Sequence, residues 1–283
     1  MDQHEQYHYY DGVLFPTDYF PATALDAVKS FKVREDDLYV VTYPKSGTTW
    51  TQQIVSLIRG RNDMEATDNI PVIKRVPFLE YADNKSPPKY QILSETDSPR
   101  YIKSHLPRKL LPTALFDVKP KVIYVARNPK DVLISYYEFK IHPWEWGEYM
   151  DNFLKGNVIH GCWFENISYW WQHRHDDNVL FLHYEEMMKD QKAHIRKICH
   201  FLNESVDEET VDEIHRRSTF DNMKKNPKAN FKLDDAGERT IMRQGKVGSW
   251  KERLTAEESK SIDEAFRSRL QEIGFEPVYE IDQ

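Results

Sequence analysis

A chain of 283 residues with 40% hydrophobic and 30% charged side chains has the makeup of an ordinary globule, sized for one large α/β domain or two small ones. Its formal net charge of −7 excludes a general binder of nucleic acid, so any anion site must be a local basic cluster. The two cysteines, Cys162 and Cys199, exclude a disulfide framework and favour a reducing, cytoplasmic compartment, and no apolar run reaches membrane-spanning length.

Residues 1–22 are expected as a loosely held leader, polar to Asp11 and punctuated by Pro16 and Pro21, with Val13, Leu14, Phe15 and Phe20 touching the body. Its Tyr/His-rich start has the pattern of neither a signal peptide nor an anchor. A weak helical pattern covers 23–31. The stretch Leu38–Trp50 then reads L-Y-V-V-T-Y-P-K-S-G-T-T-W. Its β-branched first half predicts a buried strand. A turn at Pro44 and Gly47 follows, and Thr48 or Thr49 is expected to cap a helix through Trp50, Ile54, Val55 and Leu57. Strand, turn and helix start aim N–H groups and a positive dipole end at an anion, with Lys45 as a mobile cation beside the hydroxyls of Ser46, Thr48 and Thr49. The stretch is not a Walker motif, because Lys45 precedes the only glycine by two residues.

Residues 61–100 are polar and proline-bearing around one apolar island, Val76–Tyr81, which either tethers a loop through Phe78 or lays Phe78 and Tyr81 over a ligand. A second strand runs from Tyr101 towards Pro107, with Lys103 and His105 two apart and so on one face if extended. Lys121–Ala126 is a third strand, followed by Arg127 and a helix that takes Pro129 in its first turn and Ser135 a turn later. Arginine is the natural bidentate phosphate binder. Residues 140–160 read as irregular, and 161–174 as an aromatic amphipathic helix. A fourth strand, Val179–His183, ends at Tyr184, and helices are expected at roughly 185–202, 207–217 and 255–272. Between them, 218–250 holds a polar loop and then Arg243–Lys251, whose glycines and cations suit backbone approach to an anion. Four strands alternate with helices and exit at Lys45, His105, Arg127 and Tyr184. That pattern predicts a doubly wound, mostly parallel sheet with a nucleotide-like anion across its carboxyl edge.

Four motifs taken together, T-Y-P-K-S-G-T-T-W at 42–50, K-S-H-L-P at 103–107, A-R-N-P-K-D at 126–131 with Ser135, and R-x-G-x-x-G-x-W-K at 243–251, resemble the cytosolic sulfotransferases. Order and spacing match from Val13 to Phe275. The resemblance implies a single three-layer α/β domain over 1–283, related to the P-loop nucleotide kinases. It further implies 3′-phosphoadenylyl sulfate (PAPS) as donor, a small apolar acceptor bearing a hydroxyl or amine, and neither a metal, a nucleic acid nor a membrane as partner. It implies that Lys45 and the N–H groups of Ser46, Gly47, Thr48 and Thr49 hold the 5′-phosphosulfate. Arg127, Ser135, Arg243 and Gly245 would hold the 3′-phosphate. Trp50, Phe220 and Tyr184 would surround the adenine, with Ser218 and Met223 nearby. His105 corresponds to the general base and Lys103 to a cation beside it. Phe20, Phe78, Tyr81, Phe139 and His160 correspond to the acceptor pocket.

The residue types suit that chemistry. Sulfuryl transfer should follow phosphoryl transfer, with charge building on the equatorial and leaving oxygens, and histidine is the side chain whose ordinary pKa suits removal of an acceptor proton. The chain also departs from the family pattern. Gln244 stands where a lysine is common, which would weaken a phosphate contact. His160 stands where an aromatic residue is common, and either reads a polar or acidic acceptor group or faces water. The dimer signature survives only as Lys251, Thr255, Ala256 and Lys260, which puts the family's small homodimer in doubt. A kinase-like phosphotransferase lacks the Walker motif it would need, and a silent binding protein would not need Lys45, Lys103 and His105 together.

Overall fold

In the computed structural model of this chain, which describes residues 6–230 and 241–281, the four apolar runs form one parallel sheet. Its strands are β3 (Leu38–Thr42), β4 (Tyr101–Ser104), β5 (Lys121–Ala126) and β6 (Val179–His183), in the order β4-β3-β5-β6. A separate antiparallel hairpin joins β1 (Tyr7–Tyr10) to β2 (Val13–Pro16). Register is tight: Val41 lies opposite Ser104 on one side and Tyr124 on the other, and Ala126 lies opposite His183. All four parallel strands therefore end along one edge.

Strand residues alternate between two cores, as the period of two demands. Tyr39, Val41, Tyr124 and Phe181 enter one, and Leu38, Val40, Ile123 and Leu182 the other. The first is covered by the helices Ala22–Lys29, Pro129–Tyr137, Trp146–Lys155, Trp163–Gln172 and Ala256–Ile273, and the second by Thr48–Arg59, Gln191–Leu202 and Glu208–Ser218. Burial on both faces explains why the strands read as continuous apolar runs rather than alternating ones. The three-layer α/β architecture expected from the sequence is the one observed.

At the amino edge, Arg100, 1% exposed, grips both oxygens of the Asp37 carboxylate at 2.7 and 2.6 Å. Its remaining N–H groups donate to the carbonyls of Leu93 and Lys32 at 3.1 and 2.8 Å. This buried pair joins the entries to β3 and β4.

Several boundaries differ from the sequence expectation. The leader is not loose over its described part: Val13, Leu14 and Phe15 are buried, and the β1–β2 hairpin is pinned by a bridge from Leu14 to Ile159. Residues 140–160 contain a helix, Trp146–Lys155, that buries Tyr149, Met150 and Phe153. The helix expected at 185–202 breaks at Asp190, whose carboxylate accepts from the Ala193 N–H and starts a new helix. Short helices Met64–Asp68, Val72–Arg75 and Lys89–Glu95 punctuate the polar 61–100 stretch. The centre of the polar loop expected before Arg243 lies outside the described residues.

Candidate active site at the carboxyl edge of the sheet

The β3 exit is shaped by two left-handed residues, Lys45 at φ 68° and Gly47 at φ 94°. A Cβ on Gly47 would come within 2.7 Å of the Tyr184 ring, so only glycine fits. Gly47 is also the N-cap of the helix Thr48–Arg59, and no side chain caps that helix start. The expected threonine cap is absent because Thr48 and Thr49 already lie inside the helix and Gly47 holds the cap position; the Thr48 hydroxyl shares a hydrogen bond with Thr42 Oγ1 at 2.6 Å. The first-turn N–H groups thus stay free for a ligand, at the positive end of the dipole. The β5 exit differs. Asn128 caps the helix Pro129–Tyr137 by accepting from the Asp131 N–H at 2.9 Å, so here the arginine carries the site.

Arg127 ties three segments together. Its Nη1 donates to the Lys45 carbonyl and its Nη2 to the Lys246 carbonyl, each at 3.0 Å, and its guanidinium lies 4.5 Å from the centre of the Tyr184 ring. The loop bearing Arg243, Gln244, Gly245 and Lys246 is held by Asp131. That buried carboxylate accepts from the N–H groups of Gly248 and Trp250 at 2.9 and 3.0 Å, and from Ser249 Oγ at 2.9 Å. Gly245 sits at φ 62°, and a Cβ there would meet the Phe220 ring at 2.2 Å.

The general-base candidate is fixed by its partner. His105 Nδ1 lies 2.9 Å from the Thr42 carbonyl, which can only accept, so Nδ1 carries the proton and Nε2 keeps its lone pair. Beneath it, the buried Glu80 carboxylate accepts from the His105 N–H at 2.6 Å and from Ser104 Oγ at 3.2 Å. The 76–81 island lies against the sheet edge and contributes to the cavity wall. It pairs with β4, Lys103 N–H donating to the Pro77 carbonyl at 2.8 Å, and it sets Phe78 edge-on to His105 at 5.0 Å.

These groups line one cavity of about 970 Å³. Its walls include Lys45, Gly47, Thr48, Thr49, Trp50, Arg127, Ser135, Tyr184, Phe220, Arg243, Gln244 and Gly245, together with Lys103, His105, Phe20, Phe78, Tyr81, Phe139 and His160. Ser46, Ser218 and Met223 do not line it. The Ser46 N–H is spent on the Tyr43 carbonyl, and its Oγ is buried without a partner. Ser218 donates to the Ile214 carbonyl and receives Gln191 Nε2, so Gln191, not Ser218, reaches the wall. Met223 is fully buried.

Electrostatically the cavity is strained by like charges. Burial, then Arg127, Lys103 and Arg243, push Lys45 down to about 7. Burial also lowers Lys103, opposed by Glu80, and burial raises Glu80. Burial, Lys103 and His160 hold His105 well below the usual histidine range, and burial, Lys103 and His142 push His160 to about 3. Both imidazoles are therefore neutral at physiological pH. Arg127 Nε, Arg243 Nε and Trp50 Nε1 are buried with no partner. Unpaired cationic donors, an uncapped helix start and two glycines on which a Cβ would strike a ring fit a multiply charged anion with an aromatic base. Among the described residues, no group of three or more His, Cys, Asp or Glu is placed to hold a metal, and no helix is long and apolar enough to cross a membrane.

Sequence reasoning missed Thr42, Glu80, Asp131, Tyr136 and Gln191. Each acts through a partner more than 20 residues away, by the hydrogen bonds to His105, Ser249, His160 and Ser218. Thr42 and Asp131 stand inside quoted motifs and Glu80 inside the Val76–Tyr81 island, but nothing local pointed to their partners.

The protein-family model for the sulfotransferase domain matches residues 35–274. Sulfotransferase 1A1 of Bos taurus is 41% identical over 260 residues, covering 88% of this chain and 88% of its own. The amine sulfotransferase of Oryctolagus cuniculus is 40% identical over 271 residues, covering 91% of this chain and 88% of its own. Among solved structures, mouse sulfotransferase SULT7A1 complexed with PAP superposes with a TM-score of 0.77 at 30% identity, over 94% of this chain and 95% of that one.

Proposed function

Because this chain belongs to the sulfotransferase family, we propose that it moves a sulfuryl group from PAPS to a hydroxyl or amine of a small apolar acceptor, with His105 as general base. The observation that carries the reading is His105 with Nδ1 locked on the Thr42 carbonyl, on the wall of a cavity shared with Lys45 and an uncapped helix start. The cavity draws its lining from Tyr7 through Ser249, which supports reading residues 1–283 as one domain.

Arg127, Arg243, Ser135 and Gly245 hold the 3′-phosphate in this reading, and Lys45 with the N–H groups at 47–49 holds the phosphosulfate. Trp50 and Tyr184, edge-to-face at 5.6 Å, flank the base together with Phe220. The bound donor supplies a sulfuryl group on a phosphate leaving group: the acceptor oxygen bonds sulfur, the sulfur–oxygen bond to phosphate breaks, and the phosphate departs with the electron pair. His105 Nε2 takes the acceptor proton as that bond forms. Lys45 and the helix-start N–H groups stabilise charge on the departing phosphate and on the transferred oxygens. Phe20, Phe78, Tyr81 and Phe139 exclude water and hold the acceptor's apolar body.

Transfer of radiolabel from ³⁵S-PAPS tests this across four acceptor classes: phenols, steroid-like alcohols, aliphatic alcohols and amines. At least one class should be sulfated. His105→Ala should lose roughly 100- to 10,000-fold in rate while calorimetry shows unchanged affinity for the adenosine bisphosphate product. No transfer to any class, with that product still bound tightly, would leave a silent binding protein.

A further inference from the structure

His160 lies on the acceptor wall of the cavity, 4% exposed, within a cage of rings. Phe15 and Phe20 meet it edge-on at 5.5 and 5.2 Å, and Phe78 stacks at 6.3 Å. Its backbone is left-handed, φ 65°, a conformation a bulky residue holds only when its surroundings demand it. The surroundings are explicit: the His160 N–H donates to the Leu14 carbonyl at 3.2 Å, and Tyr43 Oη donates to the Gly161 carbonyl at 2.9 Å.

The proton on the ring can be placed. Tyr136 Oη donates its one proton to the Ile159 carbonyl at 3.0 Å. Towards His160 Nδ1, 3.2 Å away, the same oxygen can only accept. Nδ1 of His160 therefore carries the hydrogen, and Nε2 is a bare lone pair, buried and without a protein partner. His105 is in the same tautomer for an independent reason, its bond to the Thr42 carbonyl. The two rings stand 5.5 Å apart, centre to centre, nearly perpendicular. The two rings thus present two neutral hydrogen-bond acceptors to a cavity that Lys103 also lines.

We propose that these two rings select acceptors carrying two adjacent donors, as in a catechol-like vicinal pair: the O–H that is sulfated is offered to His105 Nε2, and a second O–H or N–H to His160 Nε2. This rests on the sulfotransferase reading and names its acceptor class. A lone pair inside an aromatic cage is costly until something donates to it, so a molecule lacking the second donor leaves that cost standing.

The test uses catechol and 2-methoxyphenol, which differ by one O–H replaced with O–CH₃, and reads equilibrium binding by calorimetry with the adenosine bisphosphate product saturating. The wild-type protein should bind catechol about tenfold more tightly than 2-methoxyphenol. In His160→Phe the two affinities should come within about twofold. His160→Gln, whose amide oxygen can accept, should recover part of the preference, and Tyr136→Phe, which frees the tautomer, should lose part of it. If His160→Phe does not fold, as judged by circular dichroism, those last two variants carry the test. Equal affinities in the wild type, a ratio untouched by the substitutions, or no binding of either ligand would overturn the proposal. Label transfer is a separate readout, so failure of the enzyme reading remains distinguishable.

Discussion

Lys45 gives the site a pH dependence that can be worked out in advance. In the ligand-free protein its ammonium titrates at about 7, because burial and the cations Arg127, Lys103 and Arg243 oppose its charge. A bound phosphate dianion reverses that balance and restores the charged form. Protonated Lys45 is the binding form, so affinity for the adenosine bisphosphate product is full below pH about 7 and falls as pH rises above it. With a free-state value near 7, the dissociation constant should rise roughly fiftyfold between pH 7 and 9. At pH 8 each binding event should take up about 0.9 proton at this residue. The phosphates themselves are ionised above about pH 7, so they add little to the slope. Calorimetry in buffers of different ionisation enthalpy measures both quantities. Lys45→Arg, which keeps its charge throughout, should flatten the curve to the smaller part contributed by Lys103. A dissociation constant constant from pH 7 to 9, or an identical rise in Lys45→Arg, would show that Lys45 does not titrate against the ligand.

Asp131→Ala removes the acceptor for Gly248, Ser249 and Trp250, so the loop carrying Arg243 and Gly245 loses its anchor. Urea unfolding should register a loss of about 3 kcal/mol, with product affinity falling about tenfold; a loss below 1 kcal/mol would mean the loop is held elsewhere. Arg100→Leu strands the Asp37 carboxylate in the core and should cost about 3–5 kcal/mol, much of it regained in the Asp37→Leu, Arg100→Leu double variant. Equal losses in the single and double variants would argue against a buried charge as the cause.

The parts of this molecule visible in its sequence are those with local physical causes. Apolar runs announced the four strands because both sheet faces are covered. Gly47 and Gly245 announced turns that no Cβ permits. The strand exits at Lys45, His105 and Arg127 could be read as one site because a parallel sheet delivers its carboxyl ends to one edge. What stayed hidden depends on partners distant in the chain. Nothing near Thr42 reveals that its carbonyl sets the His105 tautomer, and nothing near Tyr136 reveals that its hydroxyl sets that of His160. The helix Trp146–Lys155 was obscured because its aromatic-rich approach through Pro143 looked irregular, while its buried face is only Tyr149, Met150 and Phe153.

Thr42 couples the two ends of the reaction more closely than their separation in the chain suggests. Its hydroxyl is bonded to Thr48, the first residue of the uncapped helix, and its carbonyl to His105, the base in the proposed mechanism. Anyone re-engineering this protein would find the pair inseparable: a change that retunes the nucleotide end at 42 to 48 also resets the base.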